Sequence, residues 1–253
     1  MSELQHPDSR AFELVADVYQ RSRPEYPREA VAWIAEQLDL REGRTVLDLG
    51  AGTGKLTRGL VETSARVIAV EPGDAMRTEL ERAVPGAEAL SGSAEQIPLP
   101  DASVDAITIG QAFHWFRHGE AIPELQRVLR KGGRVAVLWN ARDQEDALQR
   151  RISDLISPFV PPGRPGPHEW RLDLAAGPLA ESALGPLEEL HFLFVQRLDA
   201  DELSDRIASM SFVASAPADA RRALEAELRA LVERHGGRVD FPYVTWVFVS
   251  RAV

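Results

Sequence analysis

The 253-residue chain predicts an α/β fold: a doubly wound, mostly parallel sheet with helices on both faces. Three observations carry this. Apolar runs of strand length alternate with helical stretches through the first half. The runs are apolar nearly throughout rather than at every second residue, as a sheet covered on both faces requires. The first of them ends in a glycine-rich loop that opens a helix, the arrangement that seats a ligand at the carboxyl end of a strand.

Taken in order, Ala11–Arg21 reads as a helix with Phe12, Val15 and Tyr19 on one face, and Arg28–Leu38 as a second with Val31, Ile34 and Leu38 on one face. Pro24 and Pro27 keep the link between them extended. Strands follow at Thr45–Leu49, Arg66–Val70, weakly at Ala87–Leu90, then at Val104–Ile109 and Gly133–Trp139. Between them, Leu56, Leu60 and Val61, then Met76, Leu80 and Ala83, then Ile122, Leu125 and Leu129 mark helix faces. After Asn140 the texture changes. Gln144–Ile156 reads as a helix, and Pro158–Pro186 then holds seven of the 17 prolines, a composition suited to a loop-rich cover rather than a core layer. Glu189–Gln196 and Tyr243–Ser250 are strands rich in aromatic and β-branched residues, with helices Asp201–Met210 and Asp219–Arg234 between them. Gly236-Gly237 ends the last helix. The short Val239–Pro242 link favours an antiparallel, hairpin-like last strand at the sheet edge. Seven strands with one antiparallel is one architecture this allows; a plain six-strand dinucleotide fold is the other. One domain spans 1–253: a helical cover (1–42), a ligand-binding core (43–140), a Pro/Gly-rich substrate cover (141–187) and C-terminal elements that complete the sheet (188–253).

Composition narrows the function. Thirty-nine acids against 29 Lys and Arg give a formal charge of −10, which disfavours nucleic acid and anionic lipid as general partners. With no cysteine, disulfides, zinc–thiolate sites and thiolate nucleophiles are excluded. The polar opening MSELQHPDSR is not a secretory signal and no run is long enough for a membrane helix, so a cytoplasmic protein is expected. Oligomeric state leaves no mark in the sequence.

The loop Asp48-Leu49-Gly50-Ala51-Gly52-Thr53-Gly54-Lys55 is spaced G-x-G-x-G, not the G-x-G-x-x-G that positions a pyrophosphate. Asp48 would repel a diphosphate and suit an ammonium; Glu71, ending the second strand, stands where an acid accepts ribose hydroxyls. The pair favours a ribose-containing ligand without phosphate. These segments, VLDLGAGTGKLT, VIAVEPGDAM, GSAEQIPLPDASVDAITIGQAFHWF and ELQRVLRKGGRVAVLWN, together resemble the class I S-adenosylmethionine-dependent methyltransferases, with a Rossmann-like seven-stranded fold. The closest likeness is to the UbiE-like "methyltransferase domain 11" subgroup, and YQRSRPEYP resembles small-molecule members related to trans-aconitate methyltransferase. The likeness covers about residues 19–139.

The resemblance implies S-adenosyl-L-methionine as cofactor, with Asp48, Gly50, Ala51, Gly52 and Gly54 around its methionine part. It puts Glu71 and Pro72 by the ribose and Met76 against the adenine. Ser93, Ala94 and Glu95 match the segment that meets the adenine edge, with Ser93 where the family commonly has Asp. Gln111 passes the methionine moiety. Tyr19 and Arg23 match the N-terminal cover; Arg23 reads equally as a partner of the cofactor carboxylate or as a cation at its own helix C-terminus. His114 is the candidate base, or else an orienting residue or substrate contact. Trp115, Trp139 and Trp170 are candidate substrate-wall residues, while Trp33 and Trp246 read as core.

His114 and His118 lack a third ligand, so no metal is expected. Asp143 and Asp146 read as helix-capping acids. The expected activity is direct methyl transfer to a small molecule, at an oxygen or carboxylate. N- or C-methylation, an NAD-dependent oxidoreductase and a non-catalytic cofactor-binding regulator are the alternatives.

Overall fold

The structure is a computed structural model in which residues 23–163, 171 and 174–250 are described. The helix expected at Ala11–Arg21 lies outside them. In chain order the elements are α1 (Arg28–Gln37), β1 (Thr45–Leu49), α2 (Thr57–Val61), β2 (Arg66–Val70), α3 (Asp74–Ala83), β3 (Glu88–Leu90), β4 (Val104–Gly110), α4 (His118–Val128) and β5 (Leu129–Arg142). Then follow α5 (Ala147–Ile156), α6 (Pro178–Glu181), β6 (Leu187–Leu198), α7 (Ala200–Ala208), α8 (Ser211–Ala214), α9 (Ala218–Arg234) and β7 (Val239–Ser250). A 3₁₀ turn, Phe113–Trp115, follows β4.

The strands form one seven-stranded sheet in the order β3-β2-β1-β4-β5-β7-β6. The first five pair in parallel. β7 runs antiparallel to both β5 and β6. The expected antiparallel last strand is therefore present, but it is inserted inside the sheet, and β6 is the edge. Its approach is no hairpin either: three helices separate β6 from β7, and Val239–Pro242 belongs to the strand itself. A short link next to a strand says nothing about which neighbour that strand will choose, because the choice rests on partners distant in sequence.

Period-two alternation divides the core. Leu47, Leu49, Ile68, Val70, Ile107 and Ile109 face α4 on one side, with Ala121 and Leu125 beneath them. Val46, Val67, Ala106, Ala136 and Leu138 face α1 and α2 on the other, with Ile34 and Leu60. Every residue of β1 is buried, as a strand covered on both faces must be. A third cluster joins α5, α7 and α9 to the outer half of β7. In the described residues of the Pro-rich insertion, Leu174, Leu179 and Leu184 are buried in the α4-side core, while Val160 borders the cavity at the carboxyl end of the sheet. Polar caps appear where helices need them. Asp146 accepts from the Gln149 N–H at 2.9 Å, and Asp199 with Glu202 forms a capping box at α7.

At the amino end of the sheet, Asp105 accepts from the Thr45 N–H (2.8 Å), Arg44 (3.0 Å) and Arg130 (2.6 Å). Burial raises its pKa, but these donors outweigh it and hold the carboxyl below its ordinary 3.8. Stability from this cluster is present above that ordinary value and is lost as pH falls through the folded value. Asp105→Ala should cost about 1–3 kcal/mol in urea unfolding at pH 7, because a buried N–H loses its acceptor. The deficit should shrink in acid; a deficit that does not change with pH would argue against the cluster.

Candidate active site

Parallel strands bring all their carboxyl ends to one edge. β1 lies between β2 and β4, so the chain leaves β1 and β4 toward opposite faces and opens a crevice between them. A cavity of about 470 Å³ lies there, lined by the segments that follow β1, β2, β3, β4 and β5, by Arg23–Tyr26 and by residues of α7 and α8.

The loop after β1 is shaped by its glycines. Gly50 has φ +68, and a Cβ there would lie 2.6 Å from the Ala112 Cβ, so the loop presses against the exit of β4 without a side chain. Gly52, at φ +57, would carry a Cβ with nothing within 4 Å, so only backbone borders the cavity there. Gly54 is not a ligand position: a Cβ on it would meet Val84 at 2.9 Å, on the α3 side, and it does not line the cavity. Its small size lets the loop pack against Val84 and Leu80.

Two acids hold this loop. Glu71 accepts from the Gly52 N–H and the Gly73 N–H, each at 2.9 Å, tying the loop to the start of α3. Asp48 is 1% exposed. Its oxygens accept from Thr57 Oγ1 (2.6 Å) on α2 and Thr108 Oγ1 (3.0 Å) on β4. Asp48 is thus a buried polar post that already carries two hydroxyls. Burial pushes its pKa up to about 6, the two hydroxyls pulling the other way.

Around the rest of the wall, Met76 is buried and borders the cavity with Pro72, Ser93 and Ala94. Glu95 lines it too, accepting from the Arg117 N–H at 2.8 Å. Gln111 adopts φ +58, a strained conformation for a non-glycine residue, and its Nε2 donates to the Asn140 carbonyl at 2.8 Å, bridging the ends of β4 and β5. His114, Trp115 and Trp139 come together: the His114 ring centroid lies 4.4 Å from that of Trp115 and 4.8 Å, edge-on, from that of Trp139. Arg23 donates through Nη2 to the Ser209 carbonyl at 2.8 Å, at the C-terminus of α7.

His118 turns away: its ring stacks on Phe113 at 4.3 Å and Nε2 lies 3.2 Å from the Phe113 carbonyl. It begins α4 whereas His114 sits in the preceding turn, so the i, i+4 helical geometry does not arise. Among the described residues no group of three His, Asp or Glu side chains could hold a metal ion. Tyr19 and Trp170 lie outside the described residues.

Sequence reasoning passed over Tyr26, Lys55, Asn140, Arg142, Arg206, Met210 and Phe212, all of which line the cavity. For Asn140 and Arg142 a signal existed: they directly follow the apolar stretch of strand five, at its carboxyl end. For Arg206 and Met210 none did, since α7 is brought to the cavity only by packing on β7.

A doubly wound sheet with this crevice and an acid-held glycine loop defines a nucleoside-cofactor enzyme. Residues 47–137 match the model of the methyltransferase domain family. An uncharacterized methyltransferase of Mycobacterium tuberculosis is 39% identical over 94% of this chain and 93% of its own length. One from Schizosaccharomyces pombe is 30% identical over 96% of this chain and 98% of its own. A solved structure from Anaeromyxobacter dehalogenans, assigned as a type II methyltransferase, superposes with a TM-score of 0.66 at 27% identity, over 90% of this chain and 97% of that one. The chain belongs to the S-adenosylmethionine-dependent methyltransferases, and S-adenosylmethionine is its cofactor. The residues present fit that group: backbone alone borders the cavity at Gly52, and Glu71 and Glu95 line the cofactor end with acids that suit ribose hydroxyls or an amino group, not a diphosphate.

The raised pKa of Asp48 has a measurable sign. The unfolded chain gives up this proton near 3.8 and the folded chain near 6, so stability falls as pH rises between those values and the penalty is constant above them. Asp48→Asn should therefore gain on the native chain across that window, by up to ~3 kcal/mol at two pKa units of 1.36 kcal/mol each. Urea midpoints from pH 4 to 7 measure it, and a native-minus-variant difference that is flat in pH would refute the buried carboxyl.

Proposed function

We propose that the chain transfers a methyl group by direct in-line displacement to a small molecule, with an oxygen, carboxylate oxygen included, as acceptor, and that it works in the cytoplasm. The observation that carries this is the cluster of His114, Trp115 and Trp139 at the ends of β4 and β5, which continues the cavity wall beyond the glycine loop with aromatic surface suited to a partly apolar molecule. We place it nearest the UbiE-like subgroup and the small-molecule members related to trans-aconitate methyltransferase, from the motif spacing and the N-terminal RSRPEYP stretch.

The cofactor supplies an activated methyl on a sulfonium, so the protein's task is mainly to position the acceptor. In this reading Glu71 accepts the ribose hydroxyls and Met76 lies along the adenine. Ser93, Ala94 and Glu95 meet the adenine edge, and Gln111 holds the β4 exit beside the methionine part. Trp115 and Trp139 form an apolar wall that excludes water. His114 takes the proton from a hydroxyl acceptor, or orients an acceptor that has none to lose.

Calorimetry with S-adenosylhomocysteine should give a micromolar Kd, and NAD should not bind. Glu71→Ala should weaken S-adenosylhomocysteine by about tenfold to a hundredfold, the value of charge-assisted hydrogen bonds to ribose. His114→Asn should lower kcat by about a hundredfold with KM little changed if it is the base; a raised KM at native kcat makes it a substrate contact instead. Native affinity for S-adenosylhomocysteine in Glu71→Ala would overturn the placement of the cofactor.

A further inference from the structure

We propose that Arg142 and Arg206 form an anion subsite at the end of the cavity away from the glycine loop, built to hold a carboxylate of the methyl-accepting substrate. The proposal rests on the methyltransferase reading and adds the chemical class of the acceptor's anchor group.

Arg206, in the last turn of α7, is 3% exposed. Its Nε donates to the Tyr243 hydroxyl at 2.6 Å and its guanidinium lies 5.6 Å from the centre of that ring. Its Nη1 is buried with no hydrogen-bond partner. A buried N–H left without an acceptor is costly, and one on a cation more so. Arg142 ends β5 and pairs in register with Tyr243. Its Nη2 donates to Ser153 Oγ at 3.0 Å. Burial pulls its pKa down to about 10, and the Arg206 charge adds to the effect. Among the described residues neither guanidinium meets a carboxylate, so within them two like charges share a partly desolvated corner without a counter-charge. Such a corner is stable only at a cost that an anion would remove.

Position assigns the anion to the substrate. The cavity's own acids, Asp48, Glu71 and Glu95, belong to β1, β2 and the segment after β3. Strand order puts β4 between them and β5, so Gln111 and His114 stand between the cofactor end and the arginine end. A molecule anchored at Arg142 and Arg206 would extend toward His114. The neighbouring lining, Ile156, Val160, Met210 and Phe212, is apolar. That favours a carboxylate on an apolar body over a densely hydrated phosphate. A guanidinium edge also matches the planar carboxylate well.

The test uses the full chain saturated with S-adenosylhomocysteine, titrated in a calorimeter with benzoate, hexanoate, benzamide and inorganic phosphate. The carboxylates should bind, with benzamide and phosphate at least tenfold weaker. Arg206→Gln and Arg142→Gln should each weaken the carboxylates at least tenfold while S-adenosylhomocysteine affinity changes less than twofold. Arg142 is only partly buried, so its variant carries the test if Arg206→Gln fails to fold. No carboxylate bound, benzoate and benzamide bound equally, phosphate preferred, or carboxylate affinity kept in the variants would each overturn the subsite. If the variants lose S-adenosylhomocysteine as well, the pair holds the cofactor's own carboxylate and the proposal is also overturned. Failure of the native chain to bind S-adenosylhomocysteine would instead count against the methyltransferase reading itself.

Discussion

The position of β1 between β2 and β4 is the constraint on which the rest depends. Chain leaving neighbouring parallel strands toward opposite faces must part, and the gap is where sheets of this kind hold their ligands. The buried Asp48 stands directly under the gap. Its bonds to Thr57 and Thr108 join β1 to α2 on one side and to β4 on the other. A carboxylate there, rather than a hydrophobe, lets the strand end, the following helix and the next strand be located by one group. Glu71 acts one layer higher, fixing the loop to the start of α3 through two backbone donors.

The cavity is electrically divided. Acids gather at the cofactor end and arginines at the far end, with His114 and two tryptophans between them. The net charge of −10 therefore describes the surface and misleads about this interior. A field running across a partly desolvated pocket orients a dipolar or charged guest before any close contact forms.

Much of this was legible from local pattern. β1 and β2 fall on the expected residues, because a short, fully apolar run bounded by Gly, Pro or charge has few alternatives. α5 begins directly after Asp146, whose side chain caps it. The loop residues and Glu71 were readable because one contiguous motif builds that half. What was not readable depends on distant pairing. The register of β7 between β5 and β6 decides which residues of α7 and of the turn after it reach the cavity, so Arg206 and Met210 carried no local mark. Gly54 shares the motif spacing of Gly50 and Gly52, yet it packs on Val84 and Leu80 and does not line the cavity. Only the neighbours, Val84 and Leu80 in one case and open cavity in another, separate packing glycines from those that face a ligand.

The insertion of β7 has a consequence in time. The parallel half closes through shorter separations, the longest joining β1 to β4 with Val46 opposite Ala106. The β5–β7 ladder joins groups up to 115 residues apart, as from the Val135 N–H to Ser250 Oγ. Closing so large a loop forfeits chain entropy before any hydrogen bond repays it, and contacts of such long separation form late. β6 pairs only with β7 and must wait for it. The half of the pocket that grips the cofactor thus has the means to organise early, while the arginine end takes shape only when the last strand slides into the interior of the sheet.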